Sequence, residues 1–98
     1  MNDAFLSRVH TAFRGVQDEQ VRALEAFDGQ LHKVRDAWDR PEGGGGDTRI
    51  LQDGRVIEKG GLNFSAVEGA VSPALRQQMN TDAERFAATG VSLSLIHI

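Results

Sequence analysis

Cysteine is absent from the 98 residues, which excludes disulfides, thiolate metal sites and a cysteine nucleophile and leaves packing to hold the fold. Charge of one sign is not concentrated anywhere: Lys and Arg are scattered among Asp and Glu, for a net charge of -3 and a pI near 5.5. With no basic stripe to neutralise a phosphate backbone, nucleic acid is excluded as a partner class. Long apolar runs are missing too, since the least polar stretch, 87–98, is well short of the ~20 residues of a membrane helix. Met1-Asn2-Asp3 leads only into Ala4-Phe5-Leu6, neither a charged n-region nor an apolar h-region, so no secretory signal is read and the cytosol is the default compartment. What is present, 40% hydrophobic and 26% charged residues, suits one small soluble domain.

Between Asn2 and Phe27 the apolar residues Leu6, Val9, Phe13, Val16, Leu24 and Phe27 recur at three- or four-residue steps, the pattern of an amphipathic helix with those residues facing a core. Asn2 or Asp3 can cap its start, and Asp28-Gly29 supplies the residue that tolerates a left-handed backbone just past its end. Leu31 to Trp38 is loosely patterned and leans to strand, because Pro41 and a glycine run follow. Asp47 to Lys59 reads as a β-hairpin turning on Asp53-Gly54, which suits a two-residue type I′ loop. That loop pairs Gln52 with Arg55, Leu51 with Val56, Ile50 with Ile57 and Arg49 with Glu58. Apolar residues then lie on both faces of the hairpin, so it needs cover on both sides. Leu62 to Val67 reads as a further short strand, Pro73 to Phe86 as a weakly amphipathic helix, and Val91 to Leu95 as the start of another strand. The fold class is α+β.

Chemistry is sparse in these patterns. Gly43 to Gly46 lack the Lys-Ser/Thr ending or the spaced glycines of a phosphate loop and open a strand rather than a helix; they read as a flexible connector, or as a flap over a ligand. His10, His32 and His97 have no metal-binding spacing and are read as structural or solvent-facing. Asp36, Asp39, Glu42, Asp47, Asp53 and Glu58 are spread over separate elements and are read as solvated faces rather than a general acid–base pair. Ser65 and Ser92 have no visible base or nucleophile elbow.

Three blocks carry more: Asp36-Ala-Trp-Asp-Arg-Pro-Glu-Gly-Gly-Gly-Gly-Asp-Thr-Arg-Ile-Leu, then Gly54-Arg-Val-Ile-Glu-Lys-Gly-Gly-Leu-Asn-Phe-Ser-Ala-Val-Glu-Gly, then Ala88-Thr-Gly-Val-Ser-Leu. In order and spacing they resemble the N-terminal signature of oxygen-dependent coproporphyrinogen III oxidases, from the first helix to Leu93. The resemblance implies a fragment, 1–93, of a domain several times longer, built on a large antiparallel sheet flanked by helices and assembled as a homodimer. It implies oxidative decarboxylation of two propionates of coproporphyrinogen III to vinyl groups by molecular oxygen, giving protoporphyrinogen IX in haem biosynthesis. No organic cofactor such as flavin, haem or nicotinamide is implied, while a divalent metal is left open for the full-length family, with no ligand identified in this chain. The serine of the Gly-Val-Ser-Leu block contacts substrate in the family, which makes Ser92 the substrate-binding candidate here. Arg49 and Asn63 are the next residues of interest. Family members continue into a His-Pro whose histidine is a candidate metal ligand. His97 falls one position late and receives no such role, and 94–98 reads as a non-native tail. No catalytic residue is assigned, and the chain alone is expected to be inactive. The runner-up is a small non-catalytic module that binds a protein through the helix and hairpin, followed by a non-catalytic tetrapyrrole binder.

Overall fold

The computed structural model describes residues 3–96, with the Asp3 side chain left aside. One long helix, α1 (Asp3–Asp28), precedes strands β1 (His32–Asp39), β2 (Gly44–Gln52) and β3 (Lys59–Ala70), a short helix α2 (Pro73–Met79) and strand β4 (Arg85–Ile96). The strands form one antiparallel meander in the order β1-β2-β3-β4, so the α+β reading holds. Helix α1 lies across β3 and β4 on one face of the sheet.

The helix is where periodicity placed it, but it is turned about its axis. Its inward line is Gln17, Val21 and Asp28, all buried, with Leu24 partly buried. Val16 and Phe27, expected in the core, are 46% and 67% exposed. The reason is a polar anchor that an apolar count does not register. The Gln17 amide donates to the carbonyls of Asp47 (2.9 Å) and Leu62 (3.1 Å), fixing the rotation of the helix on β2 and β3. Val21 then packs with Leu51 and Leu62, bordered by Leu24 and Leu31. The alternative cap Asn2 lies outside the described residues.

The hairpin exists with a different turn. Gln52 pairs with Lys59, Leu51 with Gly60, Ile50 with Gly61 and Arg49 with Leu62, so the expected partners Arg55, Val56, Ile57 and Glu58 are not in a strand. They belong to a loop, 53–58, closed by Asp53 N–H to Glu58 O (3.1 Å) and Gly54 N–H to Ile57 O (3.0 Å). The cause is Asp28 at the end of α1. Its carboxylate accepts the N–H groups of Arg55, Val56 and Ile57, donors that the two-residue hairpin would have left to the ladder or to water. Gly54 sits against that carboxylate so closely that a Cβ would overlap it.

The glycine run is neither connector nor flap. Gly44 to Gly46 begin β2: Gly44 pairs with Val67, while Gly45 pairs with Asp39 and Ala66 and Gly46 with Trp38 and Ser65. At Gly46 a Cβ would collide with the Trp38 ring and the Phe64 carbonyl, so the absent side chain is what lets the indole lie over the strand. Strand β3 runs well beyond 62–67 at both ends. Helix α2 is shorter than the expected 73–86: Ser72 caps it through Leu75 N–H, and Asn80 ends it in the left-handed conformation (φ 51°). Residues from Arg85 onward join β4 instead, where Ser94 to Ile96 pair with Gly61 to Lys59. His97 and the end of the 94–98 segment lie outside the described residues.

Candidate functional site

Residues opposed in an antiparallel ladder share a face, and successive residues alternate. The register therefore divides the sheet. Arg35, Asp47, Arg49, Leu51, Leu62, Phe64, Val91 and Leu93 look toward α1, while Val34, Asp36, Trp38, Thr48, Ile50, Asn63, Ser65, Ser92 and Ser94 look away. No described element packs on this second face.

Across the middle of the open face runs a polar row, Asp36, Thr48, Asn63 and Ser92, one residue from each strand. Thr48 Oγ1 donates to Asn63 Oδ1 at 2.7 Å. Ser92, the candidate from sequence, is exposed at the next position across the ladder. On either side of the row the floor carries small residues, with Ser65 and Gly90 in one line, beyond the Gly46 that the Trp38 indole covers, and Gly61 and Ser94 in the other. A Cβ at Gly61 would meet nothing within 4 Å, and one at Gly90 only Ser65 Oγ, at 3.9 Å. Trp38 and Ile50 supply apolar edges. The arrangement can hydrogen-bond one end of a flat ligand and leave room for its plane.

Arg49 is not part of this row. It points to the helix side, where its guanidinium meets Asp18 and Asp47, each at 3.3 Å. The hairpin partner considered for it, Glu58, is in the loop. Asp47 corrects the reading of the acids as solvated: Asp36, Asp39, Glu42, Asp53 and Glu58 are exposed, but Asp47 is buried between Arg35 and Arg49. Burial pushes its carboxyl up, and the hydrogen bonds and charges of the two arginines more than offset that, holding it below the ordinary range. Asp28 behaves alike: burial raises its pKa, yet the N–H groups of Ile57, Val56, Arg55 and Gln30 bring it down to about 2.

The histidines do not converge. His10 meets the edge of the Phe64 ring at 6.2 Å between centroids, with the Arg14 guanidinium 4.7 Å from the same ring; His32 is exposed on β1; the metal reading withheld from His97 falls outside the described residues. Among the described residues no three His, Cys, Asp or Glu side chains gather as a metal site, so these residues do not fit a divalent ion and no step is assigned to one. No helix among them is long and apolar enough to cross a membrane.

A meander sheet with one face sealed by a helix, and the other carrying a hydrogen-bonding row between glycines, defines an α+β protein with one sheet face available to a ligand or a packing element. Residues 8–98 match the family model described as coproporphyrinogen III oxidase, and the chain belongs to that family. It is 42% identical over 90 residues to the oxygen-dependent coproporphyrinogen-III oxidase of a Synechococcus species, covering 90% of this chain and 25% of that protein. To the enzymes of the same name from Parasynechococcus marenigrum and Prochlorococcus marinus it is 41% and 39% identical, over 91% and 90% of this chain and 25% and 26% of theirs. The chain thus spans about a quarter of the length of the curated relatives it matches.

Sequence reasoning named Ser92 through the resemblance alone. It missed that Thr48 shares its row, two strands away, because the two are 44 positions apart in the chain and only the ladder of β2, β3 and β4 aligns them. The buried anchors Gln17 and Asp28 were missed for a related reason: each is a polar residue whose partner is a distant backbone.

Proposed function

We propose that this chain is part of an oxygen-dependent coproporphyrinogen III oxidase and supplies one wall of its tetrapyrrole site. The open sheet face with Ser92 beside Asn63 is the observation that carries this reading, together with family membership. In the proposed reaction each of two propionates, R–CH2–CH2–COO⁻, becomes a vinyl group: the carboxylate leaves as CO2 and the adjacent chain loses one hydrogen. The two electrons released pass to O2, which with two protons, one from the substrate carbon and one from solvent, becomes H2O2. Ser92 binds the substrate through its hydroxyl, and the bare floor of Gly61 and Gly90 admits the ring. The proposal includes a homodimeric full-length protein, a larger sheet than the four strands described, and a cytosolic site of action.

The test is a graft. Residues 8–98 of this chain replace the matching quarter of the Synechococcus relative, and O2-dependent formation of protoporphyrinogen IX is measured. Turnover by the chimera that falls on Ser92→Ala supports the reading. A folded chimera that neither binds nor turns over coproporphyrinogen III, beside an active parent, counts against it. The runner-up, a partner-binding module, draws on the exposed apolar residues Phe5, Val16 and Phe27 along α1; it predicts that the isolated chain unfolds cooperatively and captures a protein rather than a porphyrin.

A further inference from the structure

We propose that Asn63 is a specificity-determining residue of the open face: its side-chain amide, with the Ser92 hydroxyl, seats one carboxylate of the ligand, and Thr48 is the positioning residue that aims it. This deepens the functional reading above and rests on it.

An asparagine amide offers an acceptor at one end and two N–H donors at the other, and which end faces a ligand is decided by its neighbours. Here Thr48, directly opposite on β2, donates its hydroxyl to Asn63 Oδ1 at 2.7 Å. The acceptor end is thereby engaged, and the donor end, Nδ2, has no partner among the described residues. Across the other ladder Asn63 is opposed by Ser92, whose hydroxyl is also without a partner among the described residues. Opposed residues on one face have Cβ atoms about 4.5–5.5 Å apart, a spacing at which two donors reach the two oxygens of one carboxylate.

The position of the seat within the row follows from charge. Asp36 occupies the β1 end of the same row and repels an anion there, whereas the Asn63–Ser92 end carries no charged side chain. Arg49, the nearest arginine along β2, is turned to the other face and committed to Asp18 and Asp47. The carboxylate is therefore held within the row by neutral donors, with Lys59, four residues along β3 on the same face, the one cation of that strand. Such donors distinguish a charged carboxylate, which accepts on both oxygens, from its ester, which bonds more weakly. Gly61 and Gly90 border the seat on both sides without side chains of their own, and Ile50, Lys59, Ser94 and Ile96 line the space over Gly61 into which the ring extends.

The experiment titrates the full 98-residue chain with coproporphyrin III, the stable oxidised form of the proposed substrate, and with its tetramethyl ester in the same dilute detergent. Fluorescence reports affinity, and the side-chain amide resonances of Asn63 in a ¹⁵N-labelled sample report contact. The acid is expected to shift those resonances, and Asn63→Asp is expected to weaken binding of the acid about tenfold or more while leaving the ester nearly unchanged. Thr48→Val weakens the acid by a smaller factor and Thr48→Ser, which keeps the hydroxyl, restores it. Asn63→Leu is the second variant, with circular dichroism as the check on folding. Parent-like binding by both Asn63 variants overturns this inference alone. Equal affinity of Thr48→Val and Thr48→Ser overturns the positioning role. A parent chain that binds neither compound overturns this inference, and the chimera separately decides the functional reading.

Discussion

One carboxylate organises the end of α1 and the loop 53–58 together. Asp28 is fully buried, and its two oxygens take N–H groups from Gln30 (3.1 Å), Arg55 (2.8 Å), Val56 (2.9 Å) and Ile57 (2.9 Å). Such a cluster of backbone donors favours the charged form against the cost of burial, which is why the carboxyl titrates near pH 2. A group whose folded pKa lies below its unfolded value contributes stability that is fully present above the unfolded pKa, about 3.9 for aspartate. That contribution is lost as pH falls from there toward 2. Asp47, also lowered, adds to the same acid limb. Asp28→Asn is expected to lower the thermal midpoint by at least about 4–8 °C at neutral pH, followed by circular dichroism, and to flatten the loss of stability between pH ~4 and ~2. Gly54→Ala, whose Cβ strikes that carboxylate, is expected to destabilise as well. The double variant should fall short of the sum of the two, since both act on one contact; full additivity would show that Gly54 acts elsewhere.

At the scale of elements, the chain was most legible where a local signal and the tertiary contact agree. The length of α1, the strand at β1 and the turn near Asp53-Gly54 all have local causes in periodicity, glycine or proline, whereas the stop of α2 at Asn80, expected only at 86, was missed. The hairpin register was not legible, because Asp28, well before the turn, competes for the loop N–H groups. Nor was the rotation of α1, because Gln17 bonds to two strand carbonyls and displaces Val16 and Phe27 from the core. Of the candidate row, Ser92 and Asn63 were singled out by likeness to a family, and their alignment with Thr48 and Asp36 was not legible, since strand order and register decide which side chains meet. These assignments separate cleanly under mutation. Leu51 is wholly buried against Val21 and Leu62, so Leu51→Ala is expected to cost about 2–5 kcal/mol in urea unfolding. Phe27→Ser, on the outer side of the helix, is expected to change stability by no more than about 0.5 kcal/mol. A larger loss from the phenylalanine than from the leucine would mean that the helix sits in the rotation its apolar period first implied.

For the whole molecule the decisive features are shape and edges. Its radius of gyration is 16.4 Å and its extents are 50 × 29 × 22 Å, against about 13 Å for the radius of a compact chain of this size. Among the described residues one face of the sheet has no covering element, and the two edge strands are unlike. Strand β1 carries Lys33, Arg35, Asp36 and Asp39 along its length, charges that oppose pairing with another strand. Strand β4 has none after Arg85 and leaves Leu93, Leu95 and Ile96 at 42%, 49% and 53% exposure. The open edge of β4 is therefore the edge at which a further strand is expected to pair, in the isolated chain from a second copy. Sedimentation velocity over a range of concentrations is expected to show association of the 98-residue chain, and Leu95→Lys is expected to shift it toward monomer by placing a charge on that edge. Val34→Lys, on the already charged edge of β1, is the control and is expected to leave association unchanged. If both lysines act equally, the contact is through the open sheet face or general hydrophobic surface rather than through β4. A parent chain that sediments as a monomer at every concentration would show that the β4 edge does not recruit a strand.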